Sequence, residues 1–412
     1  MIEAGRLRLF VVLGGLYLAQ AIPSYLFAAA LPPILRQAGV SRTAIGLFAI
    51  LFVPLVIKFL WAPQVDRLRP LAMTRWISGH RAGWVLITQA GIIALIVALA
   101  FVPPSSINVI LGIGIAVSML LSTQDIATDG YATRQLQPRD RPIGNAIQSG
   151  SVAFGVVIGG TMSLVLYDHL GWTATILIVA GISLLPLGAA LMMREDDPKA
   201  ERRPRPSFKA FLARPEARLI LAVALIYRAS EGLVKAMEGP YLVDIGVPLA
   251  TIGYLSGGAA TTAGLAGSAI AAVLIARIGV ENVLALLGGL RTVCFALFAL
   301  HAAGMLGGHY EVFGAAAFQT LIRYMEIVAL YSLFMAVSSS DQPGTDFTIL
   351  SCAQLLVYLA GSMSAGVLVD RFGYAVLFTL AAAISGVAIV ATTWMLRGSV
   401  PAEASRVTRR RT

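Results

Sequence analysis

Four charged residues sit where an apolar helix should carry none. The stretch Arg218–Leu242 is about one bilayer crossing long, a distance that takes roughly 20 apolar residues. Its second half nevertheless holds Arg228, Glu231, Lys235 and Glu238. At about 100° per residue these four fall within an arc of roughly 80° on a continuous helix. Each charge at membrane depth costs about 2.5–3.5 kcal/mol on an insertion scale. An i, i+4 pair of Glu231 with Lys235 returns only about 0.2–0.5 kcal/mol. The stripe must therefore face water or countercharges inside a bundle. Two readings stand: an ion-pair network that locks helices together, or a ligand and proton site. In the second, Arg228 and Lys235 hold the anionic part of a solute, and Glu231 balances them and takes a proton.

Other apolar stretches carry polar residues at helical spacing. Asp125 and Asp129 are four apart, on one face. They either pair with arginines near a membrane surface, Arg134 among them, or one of them carries a coupling proton. Gln319, Arg323 and Glu326 recur at i, i+4, i+7, with Glu326 a further proton candidate. Tyr17, Gln20 and Ser24 run at i, i+3, i+7, as do Ser351, Gln354 and Tyr358. A lone Gln or Ser in a span is usually interhelical glue; the shared spacing on four helices points to a wet, substrate-binding cavity. Lys58 either snorkels to the surface or pairs with Asp125 or Asp129. The four histidines lack metal-ligand spacing, and no nucleophile elbow, phosphate loop or Cys-x-x-Cys is present. The chain reads as no enzyme, with no metal and no cofactor. Cys294 and Cys352 both lie in apolar segments and read as free buried thiols.

These residues need elements to hold them, and composition says which. The chain is 412 residues long, 58% hydrophobic and 13% charged, with mean hydropathy +0.81. Those values exclude a soluble globular domain and a disordered chain. Twelve spans of about 20 residues are expected: 7–30, 43–62, 83–102, 107–130, 142–167, 172–193, 218–242, 250–276, 282–306, 311–337, 345–368 and 373–396. An even number puts both termini on one side. With the termini inside, and with Arg8 and Arg218 at the inner span ends counted there, 23 of the 31 Lys and Arg fall in inside segments. Only Arg36, Arg42 and Arg371 fall outside, and five lie within spans. This positive-inside bias fixes the orientation. It also explains the net charge of +10 without a nucleic-acid partner. The basic tail 397–412 is then cytoplasmic.

The polar, Pro-rich segment 194–217 separates two halves, 1–193 and 218–396, and reads as a cytoplasmic linker. The halves repeat. Gly39–Gly46 matches Gly246–Gly253, and Pro33 and Leu35 match Pro240 and Leu242, at an offset of 207. Asp168, Gly171 and Trp172 match Asp370, Gly373 and Tyr374 at 202. Asp140 matches Asp341 at 201, which also sets Glu326 against Asp125. Two parallel six-helix halves are the layout of the major facilitator superfamily, an all-α membrane fold of twelve transmembrane helices. Asp66-Arg67 resembles the superfamily's cytoplasmic loop motif in degenerate form, with Arg69-Pro70 where Gly-Arg is usual. That resemblance implies a gating latch at the inner face, with Asp66, Arg67, Arg134 and Lys58; the alternative is a plain positive-inside loop, and the second copy, Ala276-Arg277, lacks the Asp. Gly155-x-x-x-Gly159-Gly160 lacks the proline of the superfamily's antiporter motif, which favours symport or uniport over efflux.

KFLWAP followed by Val65-Asp66, QDIATDGYA from Gln124, LYLAQAIPSYLF from Leu16 and HRAGWVLITQ from His80 resemble the AmpG and acetyl-coenzyme A transporter branch. A compact twelve-span chain is most similar there to the RhtX/FptX siderophore permeases. The resemblance implies an inner-membrane importer for a ferric siderophore of pyochelin or rhizobactin type, and coupling to protons is the expected driving force. A muropeptide or an acyl-CoA-type solute is the alternative. A monomer in the bilayer, with a small-molecule substrate and protons as partners, is the expected working form.

Overall fold

The computed structural model describes residues 2–38, 47–68, 70, 79–195, 206–247 and 249–399. The repeated segment Gly39–Gly46, the basic loop 71–78, the middle of the linker (196–205) and the tail from 400 onward lie outside the described residues.

The described chain is built from helices. We number them by span. α1 is Ile2–Tyr25, continued by Leu26–Ala30 and Leu31–Gln37. α2 is made of four short pieces, Leu47–Phe52, Val53–Ile57, Lys58–Leu60 and Ala62–Arg67. α3 is His80–Ala100 and α4 is Ile107–Gln135. α5 starts with Arg141–Gly155, passes through Val156–Met162 and enters Ser163–Ile182; α6 is the part of that helix after Gly171, followed by Leu187–Leu191. α7 is Pro215–Tyr227 and Glu231–Asp244, α8 is Leu249–Ile278, α9 is Val280–Ala302 and α10 is His309–Val337. α11 and α12 are the parts of Pro343–Ser399 before and after Gly373. The result is the major facilitator fold of two six-helix halves.

Eight of these helical stretches are long and apolar enough to cross a membrane on their own. Two of the eight, of 54 and 55 residues, hold two spans each. They are divided at Gly171 (φ 74°) and Gly373 (φ 79°). A left-handed residue ends a helix cheaply only when it is glycine, so the repeat at offset 202 marks the same turn in both halves. The other two spans are the broken α2 and α7. In α2, Pro54 and Pro63 each open a new short piece; proline fits a first turn because it needs no donor there.

α7 differs from the continuous helix expected of Arg218–Leu242. It stops at Tyr227 and restarts at Glu231, and a tight Glu231 N–H to Arg228 C=O bond of 3.1 Å crosses the break. The four charges are therefore not one helical stripe. Arg228 ends one piece, and Glu231, Lys235 and Glu238 belong to the next.

The glycines of α5 serve close packing, as their spacing suggests. A Cβ on Gly155 would overlap Ala21, and one on Gly159 would overlap the Ile22 carbonyl. Both helices widen into π-turns where they touch, Leu26–Ala30 against Val156–Met162. Pro23 just before the α1 turn removes one helical donor.

The chain forms two compact units. Unit 1 comprises Met1–Pro138, Gly150–Phe208 and Ser338–Thr348; unit 2 comprises Arg139–Ser149, Lys209–Val337 and Ile349–Thr412. Each unit takes in one short segment from the other half of the sequence.

Candidate functional site

In unit 1 polar side chains gather where α1, α2 and α4 meet. Tyr17 Oη donates to Asp129 Oδ1 at 3.0 Å, and Gln20 Nε2 donates to Thr128 Oγ1 at 2.9 Å. Lys58, buried at the α2 break, pairs with Asp125. Of the two readings for Lys58, the geometry gives the carboxylate pair. Asp129 lies within electrostatic range of both Asp125 and Lys58. These three side chains sum to one surplus negative charge. Ser24 turns its hydroxyl back to the Gln20 carbonyl at 2.7 Å. It also helps line an apolar cavity of about 500 Å³ with Phe27, Leu51, Phe52, Leu55 and Val117.

A second cluster of unit 1 centres on Asp66. Its carboxylate accepts from Arg81 Nη2 (2.7 Å), the Thr345 backbone N–H (2.5 Å) and Thr345 Oγ1 (2.8 Å). Arg81 is fully buried and also pairs with Glu195. Arg134 Nη1 stands 3.6 Å from Glu195. Gly130 and Gly344 make room, since a Cβ on either would press on the other helix or on Asp66. Arg67 is exposed and stands apart from this cluster, as does Lys58.

Unit 2 gathers its charges around α7, α9, α10 and α11. Glu231, with no exposed surface, pairs with Arg228 through Oε2 and lies 3.0 Å from Arg323 Nε through Oε1. Both guanidinium groups stand over the Tyr358 ring, at 5.9 and 5.7 Å from its centroid. The backbone of α7 reaches α11 closely here, because a Cβ on Gly232 would overlap the Tyr358 carbonyl. Lys235 bonds Glu238 at 3.0 Å and is a quarter exposed. Gln319 and Gln354 are both buried. Glu326 is held by Arg291 Nη1 through both oxygens (2.9 and 3.0 Å) and by Tyr227 Oη at 3.0 Å. Arg291 also donates to the Tyr227 carbonyl (2.7 Å) and to Ser385 Oγ (3.2 Å).

The Arg291–Glu326–Ser385 set has a twin. In unit 1, Gln124 Nε2 donates to Gln89 Oε1 at 3.0 Å, and Gln89 Nε2 donates to the Ser183 carbonyl at 2.9 Å. Each member is 202 residues before its counterpart in unit 2, the offset of the two glycine turns. The partner of Glu326 under the repeat is thus Gln124, one residue from the Asp125 that the loop offset suggested.

Sequence spacing brought forward the residues that break apolar periodicity. It missed Gln89, Gln124, Arg81, Glu195 and Thr345. The first two were readable from the repeat at 202, while Glu195 and Thr345 lie in polar segments where nothing in the pattern singles them out.

A model described as Major Facilitator Superfamily matches residues 13–234. The chain belongs to the Major Facilitator Superfamily. Within this superfamily it is 25% identical over 384 residues to the "Anhydromuropeptide permease" of Escherichia coli K12, covering 90% of this chain and 77% of that protein. It is 22% identical over 378 residues to "Putative transporter AmpG 4" of Rickettsia conorii, covering 87% and 89%. The crystal structure of the human organic anion transporter MFSD10 (TETRAN) superposes with TM-score 0.71 at 16% identity, over 94% of this chain and 99% of that one; at that identity it speaks for the fold alone. The superfamily consists of permeases, so the chain is a multi-pass membrane transporter of a small molecule. The AmpG side of the expected resemblance is what these relatives support; the siderophore-permease subtype gains no support from them.

Proposed function

We propose that this transporter imports a muropeptide-type solute, an anionic sugar-peptide, across the bacterial inner membrane together with a proton. The alignment to an anhydromuropeptide permease over nine-tenths of the chain carries the reading. The buried polar clusters agree with it. A sugar-peptide needs hydrogen-bonding groups and a cation for its carboxylate, and in unit 2 Gln319 and Gln354 with Arg228 and Arg323 offer both chemistries. Asp125 and Asp129 share one cation, so the group has room for one proton. In this reading the Asp66 cluster is the inner latch, the termini and linker are cytoplasmic, and Asp168 and Asp370 are external.

The test is uptake into proteoliposomes of a radiolabelled anhydromuropeptide, against a ferric siderophore of the pyochelin or rhizobactin type. The reading expects muropeptide uptake that grows with an inward proton gradient and stops with a protonophore. Siderophore uptake without muropeptide uptake would replace it. Cysteine at Gln137, labelled by an impermeant reagent only from the cytoplasmic side, checks the orientation.

A further inference from the structure

Two of the three cations in the unit 2 network are incompletely used. Arg291 spends its donors on Glu326, Ser385 and the Tyr227 carbonyl. Arg228 and Arg323 each reach Glu231 through Nε alone. Their Nη groups make no hydrogen bond among the described residues, and neither set belongs to the buried, solvent-shielded orphan atoms. Arg323 keeps 31% of its side chain exposed and Arg228 9%, so the first presents its fork to accessible space and the second borders it. The Arg323 contact to Glu231 is also poorly aligned: Oε1 lies 3.0 Å from Nε yet has no hydrogen-bond partner of proper geometry. One carboxylate faces two guanidinium groups, so the trio has one positive charge to spare.

Nearby amides are idle in the same way. Gln319 lies one turn before Arg323 on α10 and has only 1% of its surface exposed, yet neither its oxygen nor its nitrogen has a partner among the described residues. The Gln354 oxygen, one turn before Tyr358 on α11, is likewise unmatched. Buried amides left unpaired cost stability, so groups that complete them are expected in the loaded state.

We propose that Arg228 and Arg323, clamped on the Tyr358 ring, form a two-fork receptor for a single carboxylate of the transported solute, with Gln319 and Gln354 receiving the amide or hydroxyl groups beside it. This rests on the transporter reading and names the chemical class its substrate must carry. Arg323 takes the place that spacing gave to Lys235, which is satisfied by Glu238. The charge count selects a carboxylate. A phosphate monoester brings about −1.5 to −2 and would overfill a site with one positive charge to spare. A guanidinium fork also matches the planar carboxylate through two parallel hydrogen bonds.

The test compares purified wild type and Arg323→Gln in nanodiscs. The probes are a muramyl dipeptide with one free carboxylate and the same compound with that carboxylate converted to the primary amide. The receptor expects the acid to bind wild type about tenfold or more tighter than the amide, the scale of one charge-assisted contact. Arg323→Gln erases that preference, and Arg323→Lys restores only part of it. Equal binding of acid and amide to wild type overturns the proposal. A second readout is the melting temperature without ligand. Removing a surplus cation leaves it unchanged or higher, whereas removing a member of a structural lock lowers it, and a lowered value overturns the proposal. If neither probe binds wild type, the muropeptide reading fails, and the melting comparison alone decides the receptor.

Discussion

Unit 1 and unit 2 solve the same packing problem with different chemistry. Where the third, fourth and sixth helices of each half meet, unit 1 places Gln89, Gln124 and the Ser183 carbonyl, and unit 2 places Arg291, Glu326 and Ser385. One set is neutral, the other ionised, and both fill the same repeat positions. The comparison shows that a buried ion pair in this fold is not in itself a sign of function. An amide pair can tie the same helices, and a buried ion pair has a large desolvation cost to offset. The clusters that differ in kind are the unbalanced ones. Lys58 with Asp125 and Asp129 is short of one positive charge. Arg228 and Arg323 with Glu231 are short of one negative charge. In the proposed function a proton answers the first deficit, and in the proposed receptor an anion answers the second.

The largest expected effect breaks the ion-pair twin. Glu326→Gln leaves Arg291 buried and uncompensated, and should destabilise by about 3–5 kcal/mol, seen as loss of the folded peak in size-exclusion chromatography. Changing both Glu326→Gln and Arg291→Gln copies the unit 1 arrangement and should recover most of that loss. If the double variant is as unstable as the single one, the two sites are not equivalent, and the pair has work beyond tying helices.

The next effect sharpens the contrast between the unbalanced clusters. Asp129→Asn removes the surplus negative charge of unit 1 while keeping an oxygen that can accept from Tyr17 Oη. Uptake driven by a proton gradient should fall by about tenfold or more, a cost of roughly 1.4 kcal/mol at the transition state. Solute binding should stay within about threefold, since the anion receptor is in the other unit. Undiminished gradient-driven uptake would move the coupling role to Asp125 or Glu231. In the neutral twin, Gln124→Leu leaves the Gln89 oxygen unpaired in a buried place. A loss of about 1–3 kcal/mol is expected, read as a lower melting temperature with transport per folded molecule unchanged.

Much of the fold was legible because bilayer physics leaves few choices. Span lengths and the glycine turns at 171 and 373 follow from rules that act on single residues. The helix break at Arg228–Ser230 was not legible. No proline or glycine marks it, and the local sequence would also suit a continuous helix. The site was legible as a set of misplaced charges, and illegible as a set of partners. Spacing on one helix can pair Glu231 with Lys235, but it cannot see that Arg323 comes from α10 or that Thr345 meets Asp66. Those are contacts between residues far apart in sequence, fixed by packing of whole helices.

The smallest expected effect tests the residue on which spacing and geometry part most clearly. Lys235 was the natural cation partner when the charges were read as one stripe. The break in α7 separates it from Arg228, and its ammonium bonds Glu238 at 3.0 Å with a quarter of the side chain exposed. A partly exposed i, i+3 pair contributes about 0.2–1 kcal/mol at most, and neither partner touches the Tyr358 clamp. Lys235→Gln should therefore change affinity for the muramyl acid by less than about twofold and leave the acid-over-amide preference intact. Arg323→Gln, by contrast, should remove that preference. Equilibrium binding to the two variants under one set of conditions measures both. If Lys235→Gln weakens the acid by tenfold and spares the amide, the lysine leaves Glu238 when the solute arrives, and the receptor spans the whole length of α7 after all.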